Sequence, residues 1–255
     1  MRRQRAFTLV ELLVVIAVIA LLMAILLPTL SKVRRQVKVV ACQSNLKQWG
    51  SIFLMYADGN NGYMVTRSIE WPEVLRLYFG NCNDLLCCPM ATKPVSEGGH
   101  HPFAAFSTSL TWEPTGGDYA SYGINGWVCN PPIEEKINLY GLPTSNNWRK
   151  VDVKGASNIP LLLDSMWIDN YPDANDVPPL FDGDEYGSEP MGKFCINRHD
   201  GFINGVFLDF SVRKIGLKEL WKLKWHRKYD INGPWTKDHV PLSVWPDWMK
   251  KFKDY

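Results

Sequence analysis

One histidine in the C-terminal part of the chain stands among carboxylates at a spacing that could support chemistry. Asp200 follows His199 directly, and Asp209 completes the spacing His199-x9-Asp209. An imidazole oriented by a carboxylate activates nucleophiles in many hydrolases, but no nucleophile belongs to this local pattern. We therefore expect His199 and Asp209 to lie on facing strands and to hydrogen-bond across a hairpin. A hydrolase that uses this pair is the less favoured hypothesis, and the sequence predicts no enzymatic activity.

The cysteines raise two alternatives, disulfide bonds and a metal site. If the part of the chain that carries them is exported, it lies in an oxidising compartment, where disulfides are the default. Zinc is less favoured, because the group Cys82–Cys88 lacks a second paired cluster and His100-His101 is the only nearby histidine pair. The residues alone do not choose among the pairings of the six cysteines, which are Cys42, Cys82, Cys87, Cys88, Cys129 and Cys195.

A run of acidic residues forms the third candidate site. Between Asp164 and Glu189 there are eight Asp and Glu residues and no Lys or Arg. Carboxylates are the ligands that Ca²⁺ prefers, although the spacing does not fit an EF-hand. A solvated acidic loop is the favoured interpretation. Calcium is the alternative and the only cofactor considered, with the candidate ligands Asp169, Asp173, Asp176, Asp182 and Asp184.

The chain opens with a segment that predicts a membrane-spanning helix. The basic residues of Met1–Ala6 precede an apolar run, Phe7–Leu27, that stops at Pro28. As a helix, this run is roughly 30 Å long, which is enough to cross a hydrocarbon core. It contains Glu11, whose burial in lipid costs on the order of 2.5–3.5 kcal/mol, so the carboxylate needs a partner or a use. We expect Glu11 to meet a positive charge of another subunit; the alternative is that it only reaches the membrane edge.

The residues around Glu11 resemble a known processing site. Ala6 followed by Phe7-Thr8-Leu9-Val10-Glu11 is similar to the N-terminal motif of type IV pilins and type II secretion pseudopilins. The resemblance implies that prepilin peptidase cuts between Ala6 and Phe7 and that the new N-terminus is methylated. It also implies that Glu11 pairs with a neighbour's terminal amine during assembly. Pro28 falls where pilins commonly carry a proline, whereas Ala6 replaces the usual glycine.

Further segments are similar to a pseudopilin-like subfamily that carries a C-terminal His-x9-Asp-Gly box. In this sequence the box is His199-x9-Asp209, and Phe210 stands where the family has a glycine that could supply a tight turn. Within this resemblance we predict that Cys42 is bonded to Cys88, which would tie the long helix to the head. The other matching segments are Cys42–Gln48, Tyr56–Asp58, Cys88-Pro89 and Ser121–Gly126.

The predicted fold class is α+β, with a long N-terminal helix and a C-terminal antiparallel sheet. The expected domains are a leader at residues 1–6, a transmembrane helix at 7–27, an amphipathic spine helix at 28–57 and a globular head at 58–255, with the box at 199–209. We expect Pro28 to kink the helix. Predicted strands are Ile159–Asp164, Gly192–Asn197 and Gly205–Arg213, the last two joined by a turn at 200–204. Tryptophans of the basic C-terminal tail are expected to pack on the body rather than to bind nucleic acid or glycans.

The resemblance implies a structural subunit of a pseudopilus or type IV pilus-like filament that serves protein secretion. Its expected partners are copies of itself or other pseudopilins, prepilin peptidase, a secretion or pilus assembly platform and the membrane. The expected location is the cytoplasmic membrane, with the N-terminus inside and the head in the periplasm or another extracytoplasmic space. A net charge of +2 gives no ground for nucleic-acid binding. The alternative function is a membrane-tethered glycan- or protein-binding module that does not polymerise.

Overall fold

The computed structural model describes residues 9–80, 82–108, 118–184 and 187–255. Its first element, α1 (Leu9–Gly59), is one helix of 51 residues that continues through Pro28. The helix ends in a turn, in which Asn61 and Gly62 adopt left-handed φ angles of 55° and 79°. The Gly62 amide donates to the Ala57 carbonyl at 2.8 Å, which caps the last turn.

The chain divides into two compact units, Met1–Lys38 and Val39–Tyr255. The second unit therefore contains the last part of α1 together with the strands. The domain limits predicted at residues 6, 27 and 57 are not tested by this division and stay predictions.

The second unit is built on an antiparallel sheet, as the sequence predicts. The α-helices after α1 are α2 (Trp71–Val74) and α3 (Arg76–Phe79), and the strands are β1 (Phe106–Ser107), β2 (Tyr119–Ala120), β3 (Tyr122–Asn125), β4 (Pro160–Asp164), β5 (Asp169–Asn170), β6 (Phe202–Phe207) and β7 (Val212–Gly216). Among the described residues the sheet has five strands in the order β5-β3-β4-β6-β7, and only the short β3/β5 pair is parallel. The remaining pair, β1/β2, forms a separate antiparallel ribbon.

The last part of α1 packs directly on this sheet. Gly50 makes the close approach possible, since a Cβ there would lie 3.1 Å from Val206 Cγ2 and 3.4 Å from the Phe210 carbonyl oxygen. Next to it, the fully buried Trp49 ring packs edge-on against Trp71 at 4.9 Å, and its Nε1 donates to the Leu85 carbonyl at 2.7 Å.

A second hydrophobic cluster includes much of the tryptophan-rich tail. Trp221 and Trp225 are buried to 1% and 0% exposure and join this cluster with Leu163 of β4 and Ile203 of β6. Trp245 is also buried and packs edge-on against Trp221 at 5.5 Å. The expectation that the tail tryptophans serve packing is confirmed for Trp221, Trp225 and Trp245.

The predicted C-terminal hairpin is wrong, because the observed hairpin begins one segment later in the chain. Gly192–Asn197 is not a strand, because Pro190–Lys193 forms a 3-10 helix. The true hairpin pairs β6 with β7, from Phe202 opposite Gly216 to Val206 opposite Val212. The turn therefore lies after β6, where the prediction had placed the middle of a strand. The prediction for Ile159–Asp164 is confirmed by β4, whose residues are all buried.

Phe210 forms the tight turn of this hairpin without glycine. Its φ is 63°, a left-handed conformation that L-residues with a Cβ adopt at a cost of roughly 1–2 kcal/mol. Its amide donates to the Phe207 carbonyl at 2.8 Å, and its ring packs against the core cluster under α1. The ring contact offsets part of the backbone cost, which explains how phenylalanine is tolerated at this position.

We expect Phe210→Gly to be more stable than Phe210→Ala by about 1–2 kcal/mol, because both lose the ring but only alanine keeps the backbone cost. Denaturant unfolding of the two variants measures this difference. Leu54, an exposed residue of α1, is the matched control, since there alanine should exceed glycine by about 1 kcal/mol. The same order at both positions would contradict the argument.

Candidate functional site

The structure describes Glu11, the predicted assembly residue, but not the predicted processing site. Ala6 and Phe7 lie outside the described residues. Glu11 lies in the first turn of α1 and is exposed in the single chain, as is every residue from Leu9 to Lys38. Pro28 lies inside the helix, where it cannot donate a backbone hydrogen bond.

The first part of α1 is apolar on all sides. It is the one helix among the described residues that is long and apolar enough to cross a membrane, with a mean hydropathy of 3.2 in its most apolar window. None of that window is buried by the protein itself. A helix that is apolar all round needs lipid or other helices around it, so this segment fits a membrane anchor.

Four side chains from separate segments converge inside the second unit. Cys42 comes from α1, Cys88 from the loop after α3, Asp164 from the end of β4 and His199 from the loop before β6. Their ligand atoms all lie within 4.8 Å of one another, and all four residues are buried. The His199 Nε2 atom is 3.1 Å from Asp164 Oδ2 and 3.4 Å from Cys88 Sγ. The Cys42 Sγ atom is 3.7 Å from both carboxylate oxygens of Asp164.

Arg198 holds the carboxylate of this cluster in place. It is 1% exposed, and its Nη1 donates to Asp164 Oδ1 at 3.2 Å and to the Ser121 carbonyl at 2.6 Å. Its other nitrogens donate to the carbonyls of Pro102 and Ser165 at 2.9–3.0 Å. A buried guanidinium with this many partners fixes the loop before β6 to the loops around it.

The electrostatics of the cluster favour ionised Asp164. Burial alone would raise its pKa, but His199 and Arg198 lower the pKa to about 2. Burial likewise opposes the charged form of His199, yet the neighbouring carboxylate raises the pKa of this histidine to about 9. Burial also raises the pKa of the Cys88 thiol well above its ordinary value. The cluster thus holds the ionised Asp164 carboxylate between two cationic side chains, beside the neutral thiol of Cys88.

The expected hydrogen bond between His199 and Asp209 is wrong. His199 pairs with Asp164, whereas Asp209 is exposed in the hairpin turn and accepts from the amide and hydroxyl of Ser211 at 3.0 and 2.6 Å. The correct register of the hairpin explains the difference, because His199 precedes β6 and Asp209 follows it. The hydrolase hypothesis depended on this pair and therefore loses its geometric basis.

The acidic residues proposed for calcium do not meet at one point. Each of the five carboxylates accepts hydrogen bonds from groups of the protein nearby. Asp176, for example, accepts from the Met191 amide at 2.8 Å, and Asp169 accepts from the Tyr140 hydroxyl at 2.9 Å. Calcium binding at this loop stays a prediction that the geometry does not favour. The donors to the other three are Asn175 and His226 for Asp173, Asn197 for Asp182 and Gly187 for Asp184.

The structure places the two cysteines of the predicted disulfide side by side. All six cysteines are free thiols, and the sulfur atoms of Cys42 and Cys88 lie within 4.8 Å of each other. A disulfide requires about 2.05 Å between the sulfurs. The bond between Cys42 and Cys88 therefore stays a prediction, and the same two thiols are also part of a larger cluster.

Sequence reasoning missed Asp164 and Arg198 as members of the cluster. The available signal for Asp164 was a carboxylate at the end of the apolar strand Leu161–Asp164. A charge at the end of a strand that is buried on both faces needs a buried partner. Arg198 adjoins His199 in the sequence, but nothing in the local pattern showed that it would be buried.

Comparison with known families supports the interpretation of the N-terminus. Residues 1–27 match the family model of the prokaryotic N-terminal methylation motif. This match supports a type IV pilin-like chain that is anchored in the membrane and processed by prepilin peptidase. Pilin-like chains that carry this motif are structural subunits. The match covers the anchor and none of the second unit. No curated protein and no solved structure matches the chain.

Proposed function

We propose that this chain is a structural subunit of a pseudopilus or type IV pilus-like filament and that it serves protein secretion. One observation carries the proposal: Glu11 stands in the first turn of a helix whose following residues are apolar and exposed on every side. The methylation motif over residues 1–27 supports the same conclusion. A helix of this kind needs lipid or other apolar helices around it, and a carboxylate near its start selects a cationic partner.

The proposed mechanism is physical rather than catalytic. Cleavage before Phe7 frees a terminal amine, which carries a positive charge near neutral pH. Glu11 of a neighbouring subunit attracts this amine in an environment that screens charge weakly. The apolar helices then bundle as subunits leave the bilayer, with other pilin-like subunits and an assembly platform as partners.

The proposed location is the cytoplasmic membrane, with the second unit on the extracytoplasmic side. Basic residues flank the apolar helix on both sides, since Arg2, Arg3 and Arg5 precede it and Lys32 and Arg34 follow it. The charge rule for membrane orientation therefore gives no preference. The proposed orientation, with the N-terminus in the cytoplasm, rests on the resemblance to pilins that the methylation motif supports.

We expect the mature chain to begin at Phe7. N-terminal sequencing and intact mass of protein extracted from membranes of a host with active prepilin peptidase measure this directly. Ala6→Gly restores the residue usual in pilins and should be cut at the same bond. Ala6→Leu puts a large side chain at the cut and should leave the leader attached.

A mature product that retains Met1–Ala6 in such a host would overturn the pilin-like interpretation. Equal processing of Ala6→Leu would contradict the expectation that the cut requires a small residue at position 6. The membrane-tethered binding module uses the same export signal, so this experiment tests processing, and assembly must be measured separately.

A further inference from the structure

We propose that Cys42, Cys88, Asp164 and His199 form a structural zinc site. Among the described residues, they are the one group of three or more Cys, His, Asp or Glu side chains whose ligand atoms converge. The side chains of Asp164 and His199 are 0% exposed, and Cys42 and Cys88 are likewise fully buried. Two sulfurs, one ring nitrogen and one carboxylate oxygen are all groups that zinc accepts in proteins.

The distances within the cluster fit a tetrahedral metal. With zinc–sulfur bonds of about 2.3 Å and zinc–nitrogen or –oxygen bonds of about 2.0–2.1 Å, neighbouring ligand atoms lie about 3.3–3.8 Å apart. The observed separations are 3.1 Å from His199 Nε2 to Asp164 Oδ2, 3.4 Å from His199 Nε2 to Cys88 Sγ and 3.7 Å from Cys42 Sγ to Asp164 Oδ2. The remaining separations are no more than 4.8 Å, so shifts of about 1 Å or less would complete the coordination.

The chemistry of the four ligands selects the metal. Calcium and magnesium prefer oxygen ligands, of which this cluster offers only the carboxylate. Thiolate and imidazole together favour zinc among the common divalent ions. Four protein ligands leave no open position, and all four side chains are buried, so the site would be structural rather than catalytic.

The charges of the occupied site balance. Two thiolates and the Asp164 carboxylate carry three negative charges, and zinc together with the Arg198 guanidinium carries three positive charges. On binding, the metal displaces one proton from each thiol and one from the His199 imidazolium to the solvent, and its bonds to the two sulfurs and to Nε2 replace those protons. A buried site without net charge avoids the large cost of an uncompensated ion.

Donors around the cluster already point at the proposed ligands. The Tyr122 hydroxyl donates to Cys42 Sγ at 3.3 Å, and the Met90 amide donates to Cys88 Sγ at 3.5 Å. The Asn204 amide donates to Asp164 Oδ2 at 2.8 Å. Such donors orient metal ligands and stabilise their negative charge. The four ligands, oriented in this way, would hold α1, β4 and two loops around one ion.

This proposal excludes the predicted disulfide, because a bond between Cys42 and Cys88 would consume both thiolates. The two arrangements give different products in the same protein. Zinc leaves both cysteines reduced and protected from alkylation until a chelator removes the metal. A disulfide leaves them linked, resistant to alkylation with or without chelator, and two hydrogen atoms lighter by mass.

The test uses the full chain, extracted from membranes in detergent without added reductant and dialysed against buffer that contains zinc and then buffer without it. We expect about one zinc per chain by elemental analysis. Cobalt exchanged into the site should give the visible absorption of a tetrahedral ion and a sulfur-to-cobalt charge-transfer band. Cys42→Ser, Cys88→Ser and His199→Ala should each lower bound zinc at least about tenfold.

Cys129→Ser is the matched control, since Cys129 is also a buried cysteine, at 1% exposure, but lies outside the cluster. It should keep one zinc per chain. Because a ligand variant could fail to fold, the cobalt spectrum of the unaltered chain is an independent readout. A Cys42–Cys88 disulfide in the extracted chain, absence of zinc from it, a cobalt spectrum without sulfur ligation, or full retention of zinc in Cys42→Ser would each overturn the proposal.

Discussion

Cells that carry Glu11→Leu are expected to insert and process the protein normally and to yield no assembled filament. Leucine removes the carboxylate that would capture the terminal amine of a neighbouring subunit. It also makes the apolar helix easier to insert, because an acid inside a span costs on the order of 2.5–3.5 kcal/mol. The defect should therefore appear after insertion, in the yield of sheared or crosslinked material.

Apolar contacts between helices in lipid cannot set the register of an incoming subunit, whereas an ion pair can. Leucine and valine side chains gain little from leaving lipid for another helix, since lipid tails solvate them as well as a neighbour does. A carboxylate and an ammonium in an apolar environment attract each other strongly and at a defined position. The pair can therefore set the register of an incoming subunit, whereas the surrounding side chains of α1 supply bulk contact.

Two further variants separate charge from shape. Glu11→Gln keeps the size of the side chain without its charge and should fail like Glu11→Leu. Glu11→Asp keeps the charge with a shorter reach and should give an intermediate yield. Val10→Leu alters an adjacent apolar residue and should assemble as the unaltered chain does. Equal yields from all variants would remove Glu11 from the mechanism and favour a tethered binding module.

The sequence predicts most reliably the parts of this fold that depend on local pattern. The apolar run before Pro28 and the buried strand Ile159–Asp164 each have their own composition, and they form the predicted helix and strand. The C-terminal hairpin was misplaced because Gly192–Asn197 and the true strand Phe202–Phe207 are both short apolar segments bounded by turn residues. Only pairing with β4 and β7 distinguishes them, and that pairing is not local.

Local sequence pattern predicts even less of the buried cluster. The sequence singled out His199 as a candidate site residue, yet its partner is Asp164 rather than Asp209. The ligand set combines a helix, a strand end and two loops that are far apart in sequence, so no spacing rule connects them. Cys42 and Cys88 were paired by resemblance, and the structure brings them together without showing whether a bond or an ion joins them.

Arg198→Met is expected to lower the free energy of unfolding of the second unit by about 3–5 kcal/mol. Methionine fills part of the space of the arginine but leaves the Asp164 carboxylate with one charged partner fewer. The carbonyls of Pro102 and Ser165 also lose their donor, and the Ser121 carbonyl keeps only the Ser165 amide. A buried charge or carbonyl that loses its partner costs more than the net contribution of the pair itself, because its hydration is not restored.

Guanidinium unfolding of the full chain in detergent, followed by tryptophan fluorescence, measures this loss. All 11 tryptophans lie at or after Trp49, so the signal reports the second unit and not the apolar part of α1. Arg67→Met is the matched control, because Arg67 pairs with Glu135 at 3.1 Å while their side chains stay 39% and 33% exposed. That variant should lose about 1 kcal/mol or less, since water screens and replaces the pair. Similar losses in both variants would mean that Arg198 is not the buried anchor of the cluster.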